Sequence, residues 1–233
     1  MSTWIEQEGR DLKFPAYVWQ APVRVWHWVM ALAMIVLWVT GYFIGSPLPS
    51  VPGEAIENYL MGYIRFAHFA AGYVFAIAFL GRVYWAIVGN KHAREIFLVP
   101  LSMLNPSWWR AFFRVVGHYV FIRPKNDWHY GHNQLAMAAM FFMYVLGSLF
   151  MIVTGFALYG EGLGMESWAF RWFSSWVLPL LGYSQAVHTW HHLCAWYLFW
   201  FTLVHLYFVI REDIVSGLTV VSSMISGWRD RKN

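Results

Sequence analysis

Charge is what this chain has least of. Only 12% of its 233 residues are Asp, Glu, Lys or Arg, against about 25% in a soluble domain. With 59% hydrophobic residues, that shortage excludes an ordinary water-soluble surface and points to a bilayer. Cysteine is nearly absent, and Cys194 stands alone. A lone thiol excludes an internal disulfide and a cysteine-held metal cluster, so Cys194 reads as a small packing residue in a helix. No cleavable signal peptide is expected, because the first apolar run is too long and lacks a small-residue cleavage site. The formal net charge of +4 does not mark a nucleic-acid binder. The basic residues are not gathered on a face but fall between hydrophobic runs, as topology determinants do.

What the chain does have is four long apolar runs. The first opens at Ala21-Pro22-Val23-Arg24-Val25-Trp26-His27-Trp28 and continues uncharged to Ile44. Pro22 suits a helix start, and Trp26 and Trp28 suit an interfacial belt. The second covers residues 61–88, with Arg65 and Arg82 near its ends, where they can snorkel. The third covers 134–159 and is rich in Met and Phe. The fourth, 187–211, reads VHTWHHLCAWYLFWFTLVHLYFVIR. Each is long enough to cross a bilayer as a helix, which takes roughly 20 residues.

The connections differ in character. Residues 45–53 hold Ser46-Pro47-Leu48-Pro49 and Pro52-Gly53, a loop signature. Within 89–131, Arg110, Arg114 and His118 recur every four residues among aromatic and aliphatic ones, which predicts a helix lying in the membrane interface. Within 160–186, the apolar stretch WAFRWFSSWVLPLLGY carries Arg171 and Pro179, making it a poor crossing and a second interfacial helix. Of the 16 Lys and Arg, 14 lie in the N-terminal tail with the adjoining Arg24, in 89–131 with its flanking Arg82, and at the C-terminus. That bias puts both termini in the cytoplasm. The expected fold is all-α: a four-transmembrane-helix bundle over 22–211 with interfacial helices in its long loops. A loosely attached cytoplasmic tail precedes it (1–21) and a short one follows (212–233).

Titratable side chains inside a membrane helix are costly and mark a site. His191 and His205 are fourteen residues apart, so they share a helix face within roughly 40° and lie about 21 Å apart along the axis. His188 and His192 do not share that face. Orientation gives the histidines depths. His27 and His205 fall near the cytoplasmic ends of helices one and four, and His68 and His191 near the outer ends of helices two and four. Two imidazoles across a bundle at equal depth are a good axial set for haem iron, whereas zinc would want three or four ligands at each level. Arg24-Val25-Trp26-His27 and Arg65-Phe66-Ala67-His68 are both R-x-x-H at a helix mouth, with Arg placed to meet haem propionates. Gly72, one turn below His68, either makes room for a porphyrin face or serves helix packing. His92, His118 and His129 in the basic loop read as solvated or interfacial. His132 and Asn133 open helix three. They are read either as a helix cap with a solvated histidine or as a quinone site, where a titratable donor hydrogen-bonds the quinone oxygen and relays protons.

At these residues the chain resembles a known family. APVRVWHW, GYFIGSPLP, MGYIRFAHF, GHN, TGFALYGEG, HTWHHL and REDI are similar to motifs of the b-type cytochrome subunit of membrane-bound nickel–iron uptake hydrogenases, over nearly the whole chain from Tyr17. Gln134 stands where that family usually has Pro after GHN. The resemblance implies two b haems, on His27 with His205 and on His68 with His191. It also implies a hydrogenase small subunit with a membrane-anchoring tail and a large subunit as partners, quinone as acceptor, and a bacterial inner-membrane location. Two rivals stand beside it. One is an equivalent cytochrome of another dehydrogenase, such as formate dehydrogenase. The other is a haem-free anchor or transporter, which leaves the R-x-x-H echo and the fourteen-residue spacing unexplained.

Overall fold

The computed structural model describes residues 14–49, 58–122 and 130–232. Pro52-Gly53, His129 and the first thirteen residues lie outside the described residues. In chain order the elements are β1 (Ala16–Tyr17), α1 (Ala21–Gly45), α2 (Leu60–Val88), α3 (Lys91–Arg94), α4 (Val99–Ser102), α5 (Pro106–Tyr119), α6 (Gln134–Ala139), α7 (Leu146–Leu163), α8 (Ser175–Leu181), α9 (Ser184–Val215), α10 (Val220–Ser226) and β2 (Trp228–Arg229). A π-helical stretch, Met140–Val145, joins α6 to α7, and another, Phe170–Ser174, leads into α8.

Among the described residues, four helices are long and apolar enough to cross a membrane: Ala21–Gly45, Leu60–Val88, Gln134–Leu163 and Ser184–Val215. They coincide with the four apolar runs, each extended by up to a turn. On α1, Val25, Trp28, Leu32, Ile35, Val39 and Tyr42 recur at spacings of three and four and stay exposed, while Val23, Met30, Ala33, Met34 and Thr40 are buried. A helix apolar on both its exposed and its packed faces suits a hydrocarbon surround. The connection 89–131 is helical in part, and α5 carries the expected amphipathic pattern, with Trp108 and Val115 buried.

The described chain divides into two compact units. The first comprises 1–25, 82–146 and 201–233, and the second 26–81 and 147–200. In the first unit the N-terminal segment is not loose where it is described. β1 pairs antiparallel with β2, Ala16 opposite Arg229 and Tyr17 opposite Trp228. Val18 and Trp19 both donate their backbone N–H to Gly227 O. Their side chains are buried in a cluster with Val23 and Ala93. The Gln20 side-chain oxygen accepts from Trp85 Nε1 and from the Asn90 backbone, both at 2.9 Å. An expectation based on the tail's mixed charge overlooked the apolar run Phe14-Pro15-Ala16-Tyr17-Val18-Trp19 inside it. Gly227, at φ +88°, is required there, since a Cβ would meet Trp19 O at 2.7 Å. Arg82 is not a snorkelling residue either: it is 6% exposed and lies over the Phe97 ring.

The second unit has a core of Ala157, Val177 and Val187, packed by Val153, Phe173 and Leu181 among others. Ser174 donates to the Ala157 carbonyl at 2.6 Å in a fully buried bond. At Gly160, an added Cβ would meet Ala169 C and Phe170 N at 2.5 Å, so the chain leading into α8 rests directly on α7. Gly62, near the start of α2, has nothing within 4 Å of its built Cβ. Gly160→Ala is therefore expected to lower the thermal midpoint in detergent sharply, because the obstacle is backbone. Gly62→Ala is expected to be neutral or stabilising by up to about 1 kcal/mol. A Gly160→Ala protein as stable as its parent contradicts the close approach.

Candidate functional site

The second unit brings two of the four candidate histidines together with matching partners. His68, on α2, has its Nδ1 2.9 Å from the Thr40 hydroxyl of α1. His191, on α9, has its Nδ1 2.8 Å from the Thr154 hydroxyl of α7. Each threonine also bonds the carbonyl one turn back: Thr40 donates to Val36 O at 2.6 Å, and Thr154 to Phe150 O at 2.7 Å. A glycine follows each threonine. A Cβ at Gly41 would lie 3.3 Å from His68 Cε1, and one at Gly155 would lie 3.4 Å from His191 Cε1. Both imidazoles lie in the second unit. Gly72 has nothing within 4 Å of a built Cβ. Arg65 is exposed at the mouth of α2.

The neighbouring histidines of α9 are otherwise engaged. His188 Nδ1 donates to the Ser184 carbonyl at 3.1 Å. His192 Nε2 accepts from Trp196 Nε1 at 3.0 Å. Cys194 packs with its thiol toward Gly147 O. His27 belongs to the second unit and has its ring edge-on to Trp28. His205 belongs to the first unit and stacks on Phe201. Arg24 donates through Nη1 to the Ile225 carbonyl of α10, so one arm of this propionate candidate has a protein partner.

The first unit holds a cluster that sequence reasoning missed. Glu95 sits just after α3 with its carboxylate between two histidines. His92 Nδ1 donates to Glu95 Oε1. The His132 backbone N–H donates to Oε2 at 3.1 Å, with the His132 ring nitrogen 3.5 Å from the same oxygen. His92 is 5% exposed, not solvated as expected of the basic loop. His132 is not a solvated cap histidine either, and its ring lies 5.0 Å from that of Trp19. Asn133 does cap: its side-chain oxygen accepts from Ala136 N at 2.8 Å, and its Nδ2 faces the Tyr119 hydroxyl. Arg229, also buried, donates to Gly131 O at 3.1 Å, and burial lowers its pKa to about 10. One signal was available: Glu95 is the only acidic residue between Glu57 and Asp127.

Burial alone would raise the Glu95 pKa. The hydrogen bonds and charges of His132 and His92 overcome it and hold the carboxyl at about 2, against an ordinary 4.5. A depressed carboxyl stabilises the fold fully above its unfolded value and less as the pH falls toward its folded one. Glu95→Gln is expected to lower the thermal midpoint at neutral pH and to flatten the acid loss across that window. Parallel pH–stability profiles for variant and parent contradict this.

Four long apolar helices, three of them carrying histidines, make this a polytopic helical membrane protein. Residues 18–227 match the family model described as prokaryotic cytochrome b561, and the chain belongs to that family. Curated relatives cover nearly its whole length. A protein named "Probable Ni/Fe-hydrogenase B-type cytochrome subunit" from Azotobacter vinelandii is 61% identical over 96% of this chain and 92% of its own. One of the same name from Cupriavidus necator is 54% identical over 97% and 91%. A "Probable Ni/Fe-hydrogenase 1 B-type cytochrome subunit" from Escherichia coli K12 is 46% identical over 97% and 95%.

A cytochrome of this family implies haem b, and the donors of the second unit fit such a group. His68 and His191 each engage Nδ1 with a hydroxyl and so leave Nε2 for iron. Among the described residues, no group of three or more His, Cys, Asp or Glu is placed to hold a metal ion. A pair of imidazoles, and not a larger donor cluster, would suit haem iron.

Proposed function

We propose that this chain is the membrane electron carrier of a nickel–iron hydrogenase, holding two b haems and reducing quinone. The observation that carries the reading is the pair His68 and His191, each held on a threonine of a neighbouring helix. These two histidines are the axial set of one haem. His27 and His205 are the axial set of the second, a reading that rests on the fourteen-residue spacing of His191 and His205 and on the R-x-x-H echo. Haem, when bound, supplies the one-electron couple that the protein lacks.

The chain's own residues do the rest. The imidazoles ligate, and the apolar helices keep water away from the cofactors. Arg65, exposed one turn before His68, meets propionate carboxylates, and Arg24 has further N–H groups for the same purpose beside the one on Ile225. Gly72 leaves room for the porphyrin face. His132 donates to a quinone oxygen and relays its proton, with Glu95 holding the imidazole in place. Asn133 shapes the same region as the cap of α6. The names of the relatives support a hydrogenase as electron source. Its small subunit, with a membrane-anchoring tail, and its large subunit are the partners, docked on the periplasmic side of the bacterial inner membrane. Both termini of this chain are cytoplasmic, as its basic loops favour.

A haem count on the purified protein tests the assignment. Two b haems are expected in the parent and one in each of the variants His27→Ala, His68→Ala, His191→Ala and His205→Ala. A single-histidine variant that keeps both haems removes that residue from the axial set. His132→Ala is expected to keep both haems and to slow quinone reduction by about 100-fold or more, the scale of a lost acid–base group. Unchanged quinone reduction in that variant contradicts the quinone site.

A further inference from the structure

The segments Val39-Thr40-Gly41-Tyr42 and Val153-Thr154-Gly155-Phe156 are two versions of one sequence, on α1 and α7. Neither was singled out by the histidine spacing, yet each meets one histidine of the second unit through its threonine hydroxyl, His68 having the Leu37 backbone as a further hydrogen-bond neighbour. We propose that Thr40 and Thr154 are positioning residues. Each hydroxyl fixes its histidine in the Nδ1–H tautomer with the ring held upright, so that Nε2 faces the iron and the haem potential is set in part by these two bonds.

A threonine hydroxyl has one proton to donate. Thr40 gives its proton to Val36 O at 2.6 Å, with Leu37 O a weaker second acceptor at 3.4 Å. Thr154 gives its own to Phe150 O at 2.7 Å, with Met151 O at 3.4 Å. The short arms are normal O–H···O lengths. With that proton committed, the hydroxyl oxygen can only accept from the imidazole. His68 Nδ1 at 2.9 Å and His191 Nδ1 at 2.8 Å must therefore each carry hydrogen. The lone pair is then on Nε2 in both rings. The partner on the distal nitrogen of a metal-bound histidine commonly fixes the tautomer and orientation and raises ligand basicity.

The glycines complete the device. The Cε1 edges of the rings lie against the α1 and α7 backbone, where a Cβ at position 41 or 155 would stand 3.3 or 3.4 Å away. Each ring is thus held by a hydrogen bond at Nδ1, and its Cε1 edge occupies space that a side chain at position 41 or 155 would crowd. A hydroxyl is a neutral acceptor, so it holds the Nδ1 proton without drawing it off as a carboxylate would. Removing the acceptor makes the imidazole a weaker donor to ferric iron, so the potential rises.

This proposal rests on the axial reading of His68 and His191, and the test separates the two. Thr40→Val and Thr154→Val keep the side chain's shape and lose the hydroxyl, whereas Thr40→Ser and Thr154→Ser keep the hydroxyl and lose a methyl. The readouts, on the purified full-length protein, are haem content, midpoint potential by redox titration and the electron paramagnetic resonance g-values of the ferric haems. Each Val variant is expected to shift one haem to higher potential with altered g-values, or to lose that haem. It should be the same haem in both cases, and the one missing from His68→Ala. Each Ser variant is expected to match the parent. Val variants with parental potential and g-values overturn the proposal and leave the axial reading standing. So do Ser variants disturbed as much as the Val variants, since shape and not the hydroxyl would then matter. A His68→Ala protein that keeps both haems overturns the axial reading and this proposal with it.

Discussion

An imidazole inside an apolar helix needs a partner for its polar atoms, and the identity of that partner decides what the ring can do. At His68 and His191 the partner is a threonine hydroxyl whose own proton is already committed to its helix backbone. This satisfies two costs of the membrane interior at once, an unpaired ring N–H and an unpaired hydroxyl. It also leaves one nitrogen of each ring without a protein acceptor to seek. Two details of the second unit fit this requirement: a threonine on a neighbouring helix, then a glycine whose missing side chain leaves room for the ring.

The first unit solves a different problem with different chemistry. Its buried polar groups are a carboxylate, two histidines and an arginine, held between the described N-terminal segment, the stretch after α2 and the C-terminal strand. Here charge is neutralised locally: Glu95 is ionised because His92 and His132 hold it so, against the pull of burial. Neutral hydroxyl partners suit a redox centre whose potential should not be dominated by a nearby charge. A histidine–carboxylate pair suits a place where protons are exchanged. The two kinds of partner therefore fit the division between electron carriage and proton delivery proposed for this chain.

The four crossings were legible because length and apolarity alone decide whether a helix suits a bilayer. All four begin and end within about a turn of the structural limits. Depth alone suggested setting His68 beside His191, and that pairing remains a proposal; the structure places both in the second unit. The threonines were not legible, because a hydroxyl in an apolar run carries no period; only the repeated V-T-G, at positions 39–41 and 153–155, could have exposed them. The Glu95 cluster escaped for a related reason. Its members are brought together by loop packing and not by helix periodicity, and a basic loop reads as solvated until something shows that it is buried. The N-terminal segment was misjudged because a two-residue strand pairing leaves too short a pattern to see in sequence.

The central claim is that both irons are gripped by pairs of imidazoles. Near-infrared magnetic circular dichroism of the oxidised, purified protein tests it most directly, since the charge-transfer energy of low-spin ferric haem identifies the axial pair. Two low-spin haems per chain, both with the bis-imidazole band, are expected. A methionine-type band, a high-spin signature or a single haem per chain would contradict it.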